Sequence, residues 1–197
     1  MHILSISVGK VSKLVILGDG PSRNVNSAIE KKPISDEDHP IPVFVGRLGL
    51  EGDQQADLNV HGGAEKAVYV YPVEHYPFWQ KLLQEHASEL GTLSHGFFGE
   101  NLTIEGLTED GVFVGDLWTV GEVEFLVEEL RKPCFKFDAK IGFKAGPHMV
   151  LSARSGWYLS VLKSGIIKAG DKISVQPGER SVSIVKQNEA LKRERKL

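Results

Sequence analysis

The amino-acid sequence predicts a mainly β fold, a β-rich α+β arrangement forming a distorted barrel with a few peripheral helices, and three observations support this. Short runs of β-branched and aromatic residues recur between glycines, the pattern of many short strands joined by tight turns. The chain carries 21 glycines and 9 prolines among 197 residues, somewhat above the usual share of about 12%. Only one segment shows clear helical periodicity.

The expected strands, in order, are Ile3–Val8, Leu14–Leu17, Ile41–Val45, Val68–Tyr71, Leu102–Ile104, Leu117–Val120, Val123–Val127, Ile173–Val175 and Val182–Val185. Gly115-Asp116 and Gly170-Asp171 each stand just before an alternating apolar run, the chemistry of a turn feeding a half-buried strand. Between Gly18 and Pro42 the prolines and scattered charges read as a long excursion folded over the barrel. The clear helix follows Pro72, with Trp79, Leu82, Leu83 and His86 on one stripe. Pro77 then falls in its first turn, where an amide donor has no intrahelical partner in any case. A shorter helix is expected from His148 toward Ala153. Residues 1–185 are expected to form one domain, since about 150 residues is a typical domain. Residues 186–197 read as a charged tail, helical or frayed, in which Lys186, Lys192, Arg193, Arg195 and Lys196 face only Glu189 and Glu194.

Composition excludes several function classes. The formal net charge is −3, which argues against a general nucleic-acid binder or a basic membrane-surface protein. No apolar run approaches the roughly 20 residues of a membrane span, and no secretory leader is evident. The single cysteine, Cys134, cannot form an intramolecular disulfide or a four-cysteine zinc site, which points to a reducing, cytoplasmic setting.

That cysteine lies in Arg131-Lys132-Pro133-Cys134-Phe135-Lys136, with three cations within three residues of the thiol. Positive charge favours thiolate, the form that acts as nucleophile and soft metal ligand. A packed small hydrophobe is the competing reading. Gly46-x-x-Gly49-x-x-Gly52-Asp53, followed by His61-Gly62-Gly63 and Lys66, suits either tight turns or a loop lying against a phosphate. Neither a phosphate-loop nor a dinucleotide signature is present, and Gly18-Asp19-Gly20 fails as one. The histidines lack zinc-ligand spacing. A cysteine hydrolase would need His61 or His148 as base, with Asn101 to orient it. The adjacent pairs Glu128-Glu129 and Glu109-Asp110 read as solvated surface.

Three blocks together resemble the MOSC domain, the module named after the carboxyl-terminal part of molybdenum cofactor sulfurases. They are Gly49 to Asp57 running to His61-Gly62-Gly63-Ala64-Glu65-Lys66-Ala67-Val68; Phe98-Gly99-Glu100-Asn101-Leu102-Thr103 with Gly115-Asp116 beyond; and Arg131 to Lys136. The likeness spans residues 46–175, and the order of blocks is similar to that of the stand-alone bacterial members, the YiiM-like proteins. The resemblance implies a barrel whose cleft holds the molybdenum cofactor (molybdopterin), with Cys134 as both the molybdenum ligand and the catalytic residue. It implies Arg131, Lys136, Lys66 and Arg47 as cations for the cofactor's phosphate, and His61 and Asn101 as polar groups near the pterin or metal. Asp53, Gly99 and Gly115 are expected to be architectural.

The implied activity is an oxidoreductase reaction on a small N-hydroxylated substrate of the hydroxylaminopurine or amidoxime type. Its electrons would come from a donor protein or flavin reductase. A non-catalytic cofactor or sulfur carrier is the alternative, and the oligomeric state is not assigned. Two departures stand out. Relatives commonly carry a three-helix carboxyl-terminal extension, of which this sequence leaves room for the first helix, and Leu130 stands where relatives often have proline.

Overall fold

Val68-Tyr69-Val70-Tyr71 shows how the core divides. Successive residues of a strand point to opposite faces. Here the valines enter one hydrophobic cluster, the barrel interior, and the tyrosines a second, aromatic cluster under the helices. This strand is therefore buried on both faces, and the sheet around it separates two layers.

The structure, a computed structural model, describes residues 1–17, 21–58, 62–86 and 92–197. Its elements are β1 (His2–Val8), β2 (Ser12–Ile16), β3 (Arg23–Ser27), β4 (Lys32–Asp36), β5 (Val43–Gly46), β6 (Gly49–Leu50), β7 (Val68–Pro72), α1 (Tyr76–His86), β8 (Leu102–Glu105), β9 (Leu117–Val120), β10 (Val123–Leu130), α2 (Phe135–Ile141), α3 (Gly146–Ser152), β11 (Trp157–Lys163), β12 (Gly165–Ile167), β13 (Ile173–Gln176) and α4 (Ile184–Glu194). Eight strands form the main sheet in the order β13-β9-β10-β11-β7-β8-β1-β4, with a three-stranded sheet β12-β5-β6 and a hairpin β2-β3 beside it. The main sheet curls until Lys172, just before β13, bridges His2 of β1. The fold is thus the β-rich half-barrel with a few helices that the sequence predicts.

The two Gly-Asp turns behave alike. Gly115 and Gly170 both take φ +84, a conformation open to glycine without strain, and the strands that follow, β9 and β13, pair antiparallel with each other. Trp118 of β9 and Trp157 of β11 then meet edge to face at 5.7 Å in the barrel core.

Several expectations need correction. The excursion from Gly18 to Pro42 contains β3 and β4, whose few apolar residues conceal them: β3 belongs to an exposed hairpin and β4 is the sheet edge, where Pro33 is tolerated. Central β11 falls outside the expected strands, because its near-continuous apolar run carries no clear period. Val182–Val185 is not a strand. The Oγ of Ser183 accepts from Lys186 N at 3.1 Å and opens α4 instead. The charged tail is helical to Glu194 and buries Ile184, Asn188 and Leu191 along one face. In α1, Trp79 and Leu83 are buried as expected, while His86 is exposed and stacks on Phe143 at 4.1 Å. Glu109 is not surface: it is 3% exposed and bonds His75 at 2.6 Å and the Gly156 amide at 2.7 Å. Among the described residues no helix is long and apolar enough to cross a membrane.

Candidate functional site

A cleft opens on the face of the sheet that carries Tyr69 and Tyr158. It is lined from the β10–α2 connection by Arg131, Lys132 and Cys134, from the first turn of α2 by Lys136, and from the end of β3 and the β3–β4 connection by residues 27–29 and Lys31. Residues 53–56, Lys66, Gly99 and Asn101 complete it. All three sequence blocks therefore converge on one site. Among the predicted residues, Cys134, Arg131, Lys136, Lys66 and Asn101 line it. Arg47 does not: it lies exposed in the tight β5–β6 turn, where Gly49 takes φ +119 and a Cβ would sit 2.4 Å from the Ala67 carbonyl. The Gly46 and Gly49 spacing thus serves a turn. His61 lies outside the described residues, as does the Gly18–Gly20 segment.

Cys134 caps the start of α2 with extended backbone, φ −128 and ψ 176, and its thiol is half-buried. The connection that presents it is fixed from behind by α4. Gln187 Oε1 accepts from the Leu130 amide at 2.7 Å, and Arg195 Nη2 donates to the Pro133 carbonyl at 2.9 Å. Leu130 in place of proline thus supplies an N–H that anchors this helix.

Arg131 is 6% exposed. Its guanidinium lies 4.4 Å from the centroid of Phe137 and 5.6 Å from that of Tyr69, and Nη1 donates to the Met149 sulfur at 3.1 Å. Among the described residues no carboxylate is ion-paired with it. Ring faces offset part of the cost of burying such a charge, about 0.5–2 kcal/mol each, against a desolvation penalty of several kcal/mol. An unbalanced positive charge remains in the cleft wall. At the rim, Glu129 pairs with Lys66 at 3.2 Å and with Lys132 at 3.6 Å. Lys136 stands on the first turn of α2.

Asn101 is occupied structurally. Its Oδ1 accepts from Tyr69 N at 3.1 Å, and its Nδ2 donates to the Ser7 carbonyl at 3.2 Å and to Asp53 at 2.9 Å. Asp53 in turn accepts from Gly9 N at 2.7 Å and from Lys31 at 2.6 Å. Gly9 permits this, since a Cβ there would lie 2.3 Å from the Glu30 carbonyl. Burial lowers the Lys31 pKa, and Asp53 opposes that shift. Burial raises the pKa of Tyr69 and Tyr158, which Arg131 partly counters, so both hydroxyls stay protonated at neutral pH. Lys140 of α2, its pKa also lowered by burial, donates to the Ile29 carbonyl at 3.1 Å and pairs with Glu30 at 3.3 Å, tying the two connections together.

Sequence reasoning missed Lys31, Tyr158 and the α4 anchor. The hydrolase arrangement finds no support among the described residues: none of their histidines lines the cleft, and His148 packs near Phe143 and His86 instead.

Comparison with known proteins gives a consistent result. The family model for the MOSC domain matches residues 57–174. The chain is 37% identical over 187 residues to YflK of Bacillus subtilis (strain 168), covering 92% of this chain and 76% of that protein. It is 34% identical over 175 residues to a protein named Reductase from Gibberella moniliformis, covering 88% of this chain but only 29% of that longer protein. The crystal structure of YiiM from Geobacillus stearothermophilus superposes with a TM-score of 0.73 at 30% identity, covering 100% of this chain and 86% of that one.

Proposed function

The chain belongs to the MOSC domain family, and from that premise we propose that its cleft binds the molybdenum cofactor and that the protein reduces N-hydroxylated compounds. The observation that carries this reading is Arg131, a guanidinium buried without a carboxylate partner among the described residues, in the wall that also presents Cys134. Unbalanced buried cations suit a ligand that brings negative charge. A pterin with a terminal phosphate and a thiophilic metal fits this donor set: guanidinium and ammonium groups for the phosphate, and a thiol for the metal.

In this reading Cys134 is the soft ligand to molybdenum, held at the entrance to α2 by the α4 contacts. Arg131, Lys136, Lys66 and Lys132 bind the phosphate. Tyr69 and Tyr158 supply flat, apolar wall with protonated hydroxyls, and Asn101 keeps β7, β1 and Asp53 in register. When bound, the cofactor supplies the two-electron chemistry by which R–NHOH, two protons and two electrons become R–NH2 and water. Electrons would come from a donor protein or flavin reductase in a reducing, cytoplasmic compartment. The name Reductase on one relative is in line with this activity.

The test is metal content. Protein purified from molybdenum-replete cells is expected to carry molybdenum by mass spectrometry, and Cys134→Ser to lose it. Equal and negligible metal in both refutes the cofactor reading. Given a reductant and 6-hydroxylaminopurine, the loaded protein is expected to form adenine, while molybdenum bound without turnover assigns a carrier.

A further inference from the structure

Lys31 lines the cleft from the β3–β4 connection, whereas Arg131 and Cys134 line it from the β10–α2 connection and Lys136 from the first turn of α2. In the sheet, the four strands β11, β7, β8 and β1 separate β10 from β4. The two sides differ in charge balance. Lys31 Nζ donates to both oxygens of Asp53 at 2.6 Å, with side chains 8% and 6% exposed. Asp53 accepts two further bonds, from Gly9 N and Asn101 Nδ2, so its carboxylate is saturated.

An ammonium has three N–H donors and no acceptor. Asp53 takes two, and among the described residues no other acceptor is hydrogen-bonded to the Lys31 ammonium. This side of the cleft therefore offers a strong donor with no net charge. Such a group is a poor anchor for phosphate beside the unbalanced Arg131, and a good partner for an uncharged oxygen.

We propose that Lys31 is the substrate-recognising donor of the cleft: its third N–H bonds the oxygen of an N-hydroxyl group and thereby distinguishes oxygenated substrate from deoxygenated product. The inference rests on the reductase reading above and names what selects the substrate. A product amine bears N–H donors where the substrate bore an acceptor, so donor meets donor and the product is released. Burial, which lowers the lysine's pKa, strengthens the ammonium as a donor.

The experiment is calorimetric titration of 6-hydroxylaminopurine and of adenine into protein purified from molybdenum-replete cells, with molybdenum content measured on each preparation. Lys31→Met alone strands the Asp53 carboxylate, so the Lys31→Met/Asp53→Asn double variant accompanies it, and circular dichroism checks that each folds. The wild type is expected to prefer the hydroxylated purine by about tenfold or more, the size of one hydrogen bond to a charged group. In the double variant that preference should fall to about twofold or less, with adenine affinity and molybdenum content retained. A preference that survives without Lys31, or no preference in the wild type, overturns the proposal. So does a joint loss of adenine affinity and molybdenum, which would make Lys31 a cofactor anchor. Molybdenum missing from the wild type as well refutes the cofactor reading alone, and the oxygen preference in the same titrations still decides the role of Lys31.

Discussion

Raising the pH is expected to unfold this protein in a single step above about pH 11, because its tyrosines cannot ionise in place. The chain has four, and burial raises the pKa of Tyr69, Tyr71, Tyr76 and Tyr158 alike. Tyr69, Tyr71 and Tyr76 are 4%, 0% and 8% exposed. In the unfolded chain each ionises near pH 10. Above that pH the folded state holds protons that the unfolded state has released, so stability falls as pH rises. A tyrosine still protonated at pH 11 contributes a loss of about 1.4 kcal/mol, and the three buried ones about 4 kcal/mol, with about 4 more for each further unit. A typical domain has about 5–15 kcal/mol in all. Lys31 and Lys140 act with the opposite sign. Burial lowers their pKa, so stability rises with pH between their lowered values and about 10.5, where the unfolded lysines also deprotonate. That gain is complete before the tyrosine loss becomes large. Tyrosinate absorbance and far-ultraviolet circular dichroism, followed together through the titration, should change at the same pH. Stepwise tyrosinate formation near pH 10 with the circular dichroism intact would refute the burial argument.

Two other outcomes follow from the cleft and its support. Arg131→Met, in protein purified without molybdenum, should leave stability unchanged or raise it by about 1–4 kcal/mol in urea unfolding, since it removes an unbalanced buried charge and keeps the apolar stem. The same variant should lose molybdenum from replete cells, and a large loss of stability would mean that the guanidinium is structural. Gln187→Ala strands the buried Leu130 amide and should cost about 1–3 kcal/mol of stability, read by thermal or urea unfolding, with molybdenum retention falling as the cysteine connection loosens.

Much of this site was legible in the sequence, because Cys134, Arg131, Lys136, Lys66 and Asn101 lie inside short motifs whose order carries the family likeness. Arg47 shows where local pattern stops: three glycines at even spacing describe a turn and a ligand loop equally, and only the distance to Ala67 decides between them. Lys31 was not legible for a different reason. It sits in a segment without hydrophobic period, and its meaning comes from Asp53, 22 residues away, and from Asn101 beyond that. Tyr158 was hidden in an apolar run that reads as helix or strand until β7 and β10 flank it. The tail looked solvated because its charges outnumber its apolar residues. Yet Ile184 and Leu191, seven apart, place one face of α4 against the barrel.

The α4 anchor also sets an order of events in synthesis. Cys134 leaves the ribosome before Gln187 and Arg195, which hold its connection in place. At about 5–20 residues per second, the thiol is made several seconds before the helix that fixes it can dock. A newborn chain therefore lacks both of these contacts until residue 195 has been added. On the cofactor reading proposed above, insertion would follow synthesis, since a chain stalled before α4 lacks both contacts that fix the connection carrying Cys134.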